Sequence, residues 1–369
     1  MSSVERSQGL IHLGLDVHKD SICAGILPAR DETADVVKIG SDPDAVAHLL
    51  ERFPDPSRVR ACYEAGPTGY ELHRLLTRHG VSCEVIAPAL IPRAPGDKVK
   101  TDRRDCCRLA RLFRAGELTA IRVPSPREEA VRDLCRARAD LLDDLLRARR
   151  RLLSFLLRHG RIYRAGTAWT GVHEKWLAAH RFDEPALTAT YGHYRAVVAA
   201  RQADLDAIKA VPHQLRHAGT QAPFTEPVRR LAGYRGVAQL GALTLAAEVG
   251  DWRRFPTAGA FMAFTGLVPS EYSSGNTARR GHITKTGNAH LRTQLIESAW
   301  AYQHRPIIGT VLRARQTGLP ADTLARSWTA QLRLCRRFRA LAARKNVKGV
   351  VVTAIARELA GFLWAEMIH

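Results

Sequence analysis

The first ninety or so residues carry the pattern that most constrains the fold. Residues 11–27 alternate and then run apolar, with a polar break at 18–20, which predicts two adjacent antiparallel strands. A third strand follows, and then a strand, a helix that ends at a glycine and another strand form a strand–helix–strand unit. These later segments are residues 34–40, 58–65, 69–80 and 82–88. The pattern predicts an α/β domain.

Four carboxylates occupy positions of this domain where a site can form. Asp16 lies on the polar face of the first strand, and Glu64 stands where the fourth strand runs into a turn. Asp102 and Asp105 are three residues apart, so they share one face of the helix that follows. Sites of α/β sheets form at strand ends. The strand order, followed by this helix, indicates a ribonuclease-H-like fold.

Two interpretations of the carboxylates stay open at this point. Four oxygen donors suit Mg²⁺ or Mn²⁺, and two such ions roughly 3.5–4 Å apart promote phosphodiester chemistry. Alternatively, Asp102 and Asp105 are ordinary ion-pair partners of Arg103, Arg104 and Arg108. The order of the set, in a basic chain, favours the metal site.

Charge indicates a polyanionic partner. Lys and Arg number 56 against 36 Asp and Glu, a formal net charge of +20, which favours nucleic acid over the alternatives of a merely basic protein or an anionic lipid surface. The seven cysteines include no C-x-x-C pair, so a reducing cytoplasm is expected rather than a disulfide framework. No signal peptide or membrane span is predicted.

The middle of the chain predicts long helices. Apolar residues fall on heptad positions of a charged run to about Leu157, and a second helical stretch near residues 194–211 returns alongside it. The heptad residues are Val131, Leu134, Leu141, Leu145, Leu152 and Phe155. This region is either a helical hairpin or coiled-coil insertion that pairs subunits, or one helix packed on its own domain. We expect domains at 1–124, 125–222 and 223–369.

The last part of the chain is expected to be mainly helical. Around Gly236 a turn joins two helical patterns, either a plain helix pair or a weak helix-hairpin-helix. A long loop at 266–288 follows, and Asn288 then caps a helix whose apolar stripe is Leu291, Leu295, Ala299 and Tyr302.

Two sets of motifs, in the right order, resemble one family. "GLDVHKDSICAGIL", "YEAGPTGYEL" and "KTDRRDCCRLARL" resemble the RuvC-like domain of the insertion-sequence transposases of the IS one-ten group, also called DEDD transposases. "GLVPSEYSSG" and "GHITKTGNAHLR" resemble the C-terminal transposase domain of the same family. The resemblance covers most of the chain and implies α/β and all-α parts.

The resemblance also implies a mechanism. It implies a recombinase that excises and inserts its element with a Mg²⁺ site formed by Asp16, Glu64, Asp102 and Asp105, Mn²⁺ being an alternative, and with a serine nucleophile. It implies a guide RNA from the element, donor and target DNA, and a dimer or tetramer whose subunits share active sites.

Carried onto this chain, the nucleophile of the family falls in "PSEYSSGN", where Ser274 is our prediction and Ser273 and Ser270 are the competitors. A serine hydroxyl is a weak nucleophile and needs activation. The residues expected to bind nucleic acid are Arg103, Arg104, Arg279, Arg280, Lys285 and Arg292. Two rival functions remain: a metal-dependent junction resolvase acting by hydrolysis, and a non-enzymatic nucleic-acid-binding protein with structural carboxylates.

Overall fold

The computed structural model describes residues 9–92, 101–207, 216–272, 279–344 and 347–369. The chain divides into two compact units, residues 1–123 and 124–369. Among the described helices, none combines the length and apolar character that a membrane span requires.

The first unit is a mixed α/β layer. Its strands are β1 (Ile11–Val17), β2 (Ser21–Pro28), β3 (Asp35–Gly40), β4 (Val59–Glu64), β5 (Ser82–Ile86) and β6 (Ala120–Ile121). Its helices are α1 (Pro43–Leu50), α2 (Glu71–Arg78) and α3 (Asp102–Arg114). The strands and helices expected in this region are confirmed, and α1 and the two-residue strand β6 are additions that the sequence pattern did not predict.

The six strands form one sheet in the order β3-β2-β1-β4-β5-β6. β1 pairs antiparallel with β2, and β2 with β3, whereas β1, β4 and β5 run parallel. The crossover through α2 connects the parallel neighbours β4 and β5. The carboxyl ends of β1 and β4 therefore lie at the same edge of the sheet.

The two faces of the sheet are covered differently. Leu13, Leu15 and Tyr63 are buried on one face, in a core that includes residues of α1 and α2. The opposite face is covered by α3, and there Gly14 and Gly25 stand opposite one another in the β1–β2 register. Alternation along the strands thus separates an apolar core from the face that α3 covers.

The second unit is mostly helical. Its helices are α4 (Pro126–Arg158), α5 (Gly171–Ala179), α6 (Pro185–Ala207), α7 (Thr225–Ala232), α8 (Gln239–Val249), α9 (Ala258–Phe264), α10 (Ala289–Ala299), α11 (Thr310–Gln316), α12 (Ala321–Ala342) and α13 (Lys348–Ile368). α4 begins with a capping box between Ser125 and Glu128, and its later half packs on α6 through Phe155, Tyr191 and Val198. The long helix and the returning helix are confirmed.

The expectation of a plain loop at 266–288 is wrong. Short strands β7 (Pro269–Glu271) and β8 (Arg280–Ile283) pair antiparallel in this segment. The flanking glycines and polar residues concealed the strands, because a pattern of three or four residues is too short to give a periodic signal. The next helix, α10, is capped by Asn288, and its predicted stripe is confirmed, since Leu291, Leu295, Ala299 and Tyr302 are all buried.

A buried carboxylate joins three helices of the second unit. Glu366 of α13 has a fully buried side chain that accepts hydrogen bonds from Arg230 of α7 and Arg326 of α12, both at 2.7 Å. Thr323 and Tyr234 donate to it as well. Burial would raise the pKa of Glu366, but these hydrogen bonds outweigh burial and lower that pKa.

Candidate metal centre and serine loop

Two glycines bring α3 against the sheet. A Cβ on Gly14 would stand 2.3 Å from both the carbonyl oxygen of Cys106 and the amide nitrogen of Ala110, and a Cβ on Gly25 would stand 2.8 Å from the same Cys106 oxygen. The helix backbone therefore lies directly on the strand backbone. We call Gly14 and Gly25 the glycine seat of α3. Glycine inside a strand is used where another backbone approaches this closely.

The seat carries the first turn of α3 to the end of β1. Thr101 caps this turn, which contains Asp102 and Asp105. Gly14 faces α3, and Asp16, two residues further along the strand, is on the same face. Cys62 of β4 also contacts α3, at the Leu109 carbonyl.

Asp16 and Asp102 come together around His18. The Nε2 atom of His18 is 3.3 Å from a carboxylate oxygen of Asp16 and 3.5 Å from one of Asp102. One ligand atom from each of the three residues lies within 4.8 Å of the others. Burial raises the pKa of Asp16; His18 opposes this, and the charges of Asp102 and Asp105 add to it.

The other two predicted ligands stand at different distances from this cluster. Asp105 is half-buried and close enough for its charge to act on Asp16. Glu64 is exposed at the end of β4. Because the preceding residue, Tyr63, pairs with Leu15, Glu64 lies at the same edge of the sheet as Asp16 and on the same face. The structure thus brings Asp16 and Asp102 together, has Asp105 beside them and leaves Glu64 outside the cluster.

The donor set fits a divalent cation. In octahedral coordination with bonds of about 2.0–2.2 Å, neighbouring ligand atoms are about 3 Å apart and opposite ones about 4.2 Å. The 3.3 and 3.5 Å separations in the cluster are close to the neighbouring value. His18 was not among the ligands predicted from the sequence, although its position two residues after Asp16 was visible there.

Arg103 and Arg104 beside the aspartates differ from Arg108, which donates to the Pro92 carbonyl. Arg103 and Arg104 are exposed, and within the described ranges neither forms an ion pair. Instead, His18 pairs with Asp102. Within the described residues, Asp102 is therefore paired with His18 and with neither Arg103 nor Arg104.

The second candidate region surrounds the hairpin β7–β8. Ser273 and Ser274 lie outside the described residues. Ser270 is half-buried in β7, and a Cβ added to Gly281 across the hairpin would stand 2.5 Å from its hydroxyl oxygen. Arg279 is exposed, and Arg280 belongs to β8.

The turn after the hairpin is fixed by backbone contacts. Lys285 is exposed with a φ of 56°, and its amide donates to the Gly266 carbonyl at 3.1 Å. Gly287 has a φ of 74°, and a Cβ there would be 2.0 Å from the Phe264 carbonyl oxygen, so only glycine fits. Arg292 donates through Nη1 to the Thr265 carbonyl at 3.1 Å, which gives this predicted phosphate ligand a structural role as well.

A buried carboxylate that the sequence did not single out holds the same turn. Glu248 of α8 accepts hydrogen bonds from Arg136 of α4 at 2.7 and 2.8 Å and from the side-chain amide of Asn288 at 2.7 Å. Burial would raise the pKa of Glu248, but these hydrogen bonds lower it. Asn288 in turn caps α10 by accepting from the Leu291 amide. Glu248 thereby connects the turn with two helices.

Both regions coincide with matches to known proteins. Residues 13–160 match the DEDD transposase model of IS110, and residues 228–311 match the model described as transposase IS116/IS110/IS902 family. A putative transposase, y4qE, of Sinorhizobium fredii is 44% identical over 87% of this chain and 77% of its own length. The transposase for insertion sequence element IS1533 of Leptospira borgpetersenii is 32% identical over 90% of this chain and 96% of its own.

Proposed function

Since the chain belongs to the IS110/IS116/IS902 family of transposases, we propose that it cuts and rejoins DNA at a site formed by Asp16, Glu64, Asp102 and Asp105. The protein is a DNA transposase, an enzyme that recombines insertion elements. The observation that carries the proposal is the meeting of Asp16 and Asp102 around His18, where the glycine seat brings α3 to the sheet edge.

The carboxylates and His18 would hold divalent ions, Mg²⁺ or Mn²⁺. When bound, such ions polarise a phosphodiester and stabilise the departing oxygen. The ribonuclease-H-like and RuvC-like assignment of this unit is supported by the strand order β3-β2-β1-β4-β5, with β2 antiparallel to its neighbours. Arg103 and Arg104 would bind backbone phosphates, since both are exposed beside the carboxylates.

A serine of the hairpin segment would supply the nucleophile. We assign Ser274 this role, ahead of Ser273 and Ser270. Ser270 is half-buried over Gly281, which limits the access of DNA to its hydroxyl. This supports a nucleophile further along the segment. Attack by the serine hydroxyl oxygen on phosphorus forms a phosphoserine bond to DNA and breaks the phosphorus–oxygen bond to the neighbouring nucleotide of the same strand. That oxygen leaves as a hydroxyl and takes up a proton in place of the one that the serine loses. The bond energy is kept for rejoining, which distinguishes recombination from hydrolysis.

The test is a search for the covalent adduct. Wild-type protein incubated with element-end DNA and Mg²⁺ should give a protein–DNA species that survives denaturation and disappears on proteolysis. Ser274→Ala should abolish it while DNA binding persists, and Ser270→Ala serves as the matched control that retains it. Undiminished recombination by Ser274→Ala would rule out this assignment.

Guidance by an RNA from the element, and assembly as a dimer or tetramer in the cytoplasm, complete the proposal. The charge of +20 supports a nucleic-acid partner of either kind. Sequencing of the nucleic acids that co-purify with the protein tests the RNA. Absence of a transcript from the flank of the element would count against guidance and leave the transposase activity intact.

A second candidate is a RuvC-like nuclease acting by hydrolysis, which the DEDD match favours when it is taken alone. In that case water attacks the phosphodiester, free 5′-phosphate and 3′-hydroxyl ends appear, and no adduct forms. The third possibility, a binding protein with structural carboxylates, disagrees with membership of a family of enzymes. It predicts that Asp102→Asn functions normally and that function does not require Mg²⁺.

A further inference from the structure

Helix α12 and the turn after it carry a groove of about 270 Å³. We call it the arginine groove; it is lined by Arg333, Arg336, Arg337, Ala340, Leu341 and Arg344. Arg336 and Arg337 follow Arg333 by three and four residues, which places these three on one face of the helix, and Arg344 lies in the turn beyond its end. At 1.5 Å per residue, Arg333 and Arg337 are separated by about 6 Å along the axis.

Acidic residues are scarce in the sequence around this face. The sequence contains no Asp or Glu between Asp322 and Glu358. Asp322 is engaged at the other end of α12, where it accepts from Arg326 at 2.7 Å. In the part of the chain that the structure describes, neither Arg336 nor Arg344 forms an ion pair, and both are exposed.

An acid beside the groove orients two of its arginines. Glu358 of α13, with 13% of its side chain exposed, accepts from Arg333 Nε at 3.0 Å and from Arg337 Nε. A guanidinium held by Nε keeps the N–H groups of its other two nitrogens for a second partner. Such a fork matches two oxygens of one phosphate. Glu358 therefore fixes the direction of Arg333 and Arg337 without occupying their outer donors.

We infer that the arginine groove binds the phosphodiester backbone of a nucleic acid. The groove lies beyond both family matches, which end at residues 160 and 311. This inference rests on the proposed function for the choice of nucleic acid as partner, but it requires no metal and no serine.

The test compares two double variants that remove the same charge. Arg336→Gln with Arg344→Gln removes two groove arginines that form no ion pair, so no acid is left without a partner. Arg195→Gln with Arg201→Gln is the control, because those arginines already pair with Glu174 and Asp204. Binding of the full chain to a DNA duplex and to an RNA duplex of the same sequence is measured in EDTA, by fluorescence anisotropy, over a range of salt.

Loss of two phosphate contacts should reduce the slope of log K against log salt by about 1.8 for B-DNA and weaken binding at least about tenfold at 0.1 M salt. The control should change neither value appreciably. A change confined to one duplex identifies that nucleic acid as the occupant of the groove. If the groove variant, folded by circular dichroism, binds both duplexes like the control, the inference is overturned. Because EDTA prevents cleavage, this failure would leave the carboxylate site untouched.

Discussion

Replacing Gly14 by alanine tests whether the glycine seat positions the metal centre. The new Cβ would stand 2.3 Å from the Cys106 carbonyl oxygen and from the Ala110 amide nitrogen. Carbon and oxygen atoms that are not bonded normally stay about 3.3 Å or more apart. Because both obstacles are backbone atoms of α3, no side-chain rotation relieves the clash. The helix has to move by about 1 Å.

A movement of this size is large for a metal site and moderate for the fold. Overpacking of a core typically costs about 1–3 kcal/mol, so the first unit should stay folded at room temperature. Ligands have to be held to within about 0.5 Å, however, and changes to the supporting residues of a metal site lower its affinity about 10- to 100-fold. We therefore expect Gly14→Ala to lose metal affinity much more than stability.

The assay is a titration with Mn²⁺ in which the free ion is followed by electron paramagnetic resonance, together with urea unfolding followed by circular dichroism. Gly66→Ala is the matched control in the same unit, because nothing lies closer than 3.9 Å to its added Cβ. It should bind Mn²⁺ like the wild type. If Gly14→Ala kept wild-type Mn²⁺ affinity and stability, the idea that the glycine seat positions the metal centre would be refuted. If both variants lost Mn²⁺ affinity equally, the effect would not be specific to the glycine seat.

Four further outcomes follow from the structure. Asp102→Asn should lower Mn²⁺ affinity and strand cleavage about 100-fold without unfolding the protein, as measured by titration and gel assay. His18→Ala should weaken Mn²⁺ about tenfold but Mg²⁺ less, since imidazole favours the softer ion; equal effects on both ions would exclude it as a ligand. Glu366→Gln should lower the free energy of unfolding of the second unit by about 3–5 kcal/mol, as measured by urea unfolding followed by tryptophan fluorescence. Glu226→Gln, which changes an acid in an exposed ion pair, should change that free energy by less than about 0.5 kcal/mol. Because the pKa of Glu366 is lowered from 4.5 in the folded state, its stabilisation is complete above about pH 4.5 and is lost as the pH falls through the folded value, and Glu366→Gln should lack this dependence.

The sequence predicted the sheet and its carboxylates because their signals are local. Each signal lies within one element: the apolar alternation of a strand, the glycine at the end of a helix, or the three-residue spacing of two aspartates. The sheet edge that holds Asp16 and Glu64 could therefore be predicted from the sequence. Glycines within β1 and β2 also gave a readable signal of close backbone approach. That signal could have identified Gly14 and Gly25 before the structure did.

The remaining parts depend on contacts between distant residues. Glu248 meets Asn288 across 40 positions and Arg136 across 112, and no periodicity encodes such pairings. A single histidine without ligand spacing carries no metal signal, so the sequence did not single out His18. Its partner Asp102 is supplied by α3, which only the packing of that helix on the sheet brings near.

The buried carboxylate of Glu366 also sets an order of events during synthesis. Each group that the structure shows donating to it, the last being Arg326, is translated earlier in the chain. Until α13 has emerged, Arg230 and Arg326 lack the carboxylate of Glu366, although Arg326 also pairs with Asp322 of α12, and the core residues of α13 are missing as well. Domains fold as units and the N-terminal one first. The sheet that bears the candidate metal centre can therefore fold on the ribosome before residue 366 is translated. The helices of the second unit, which include those around the serine loop, become complete only after that residue has emerged.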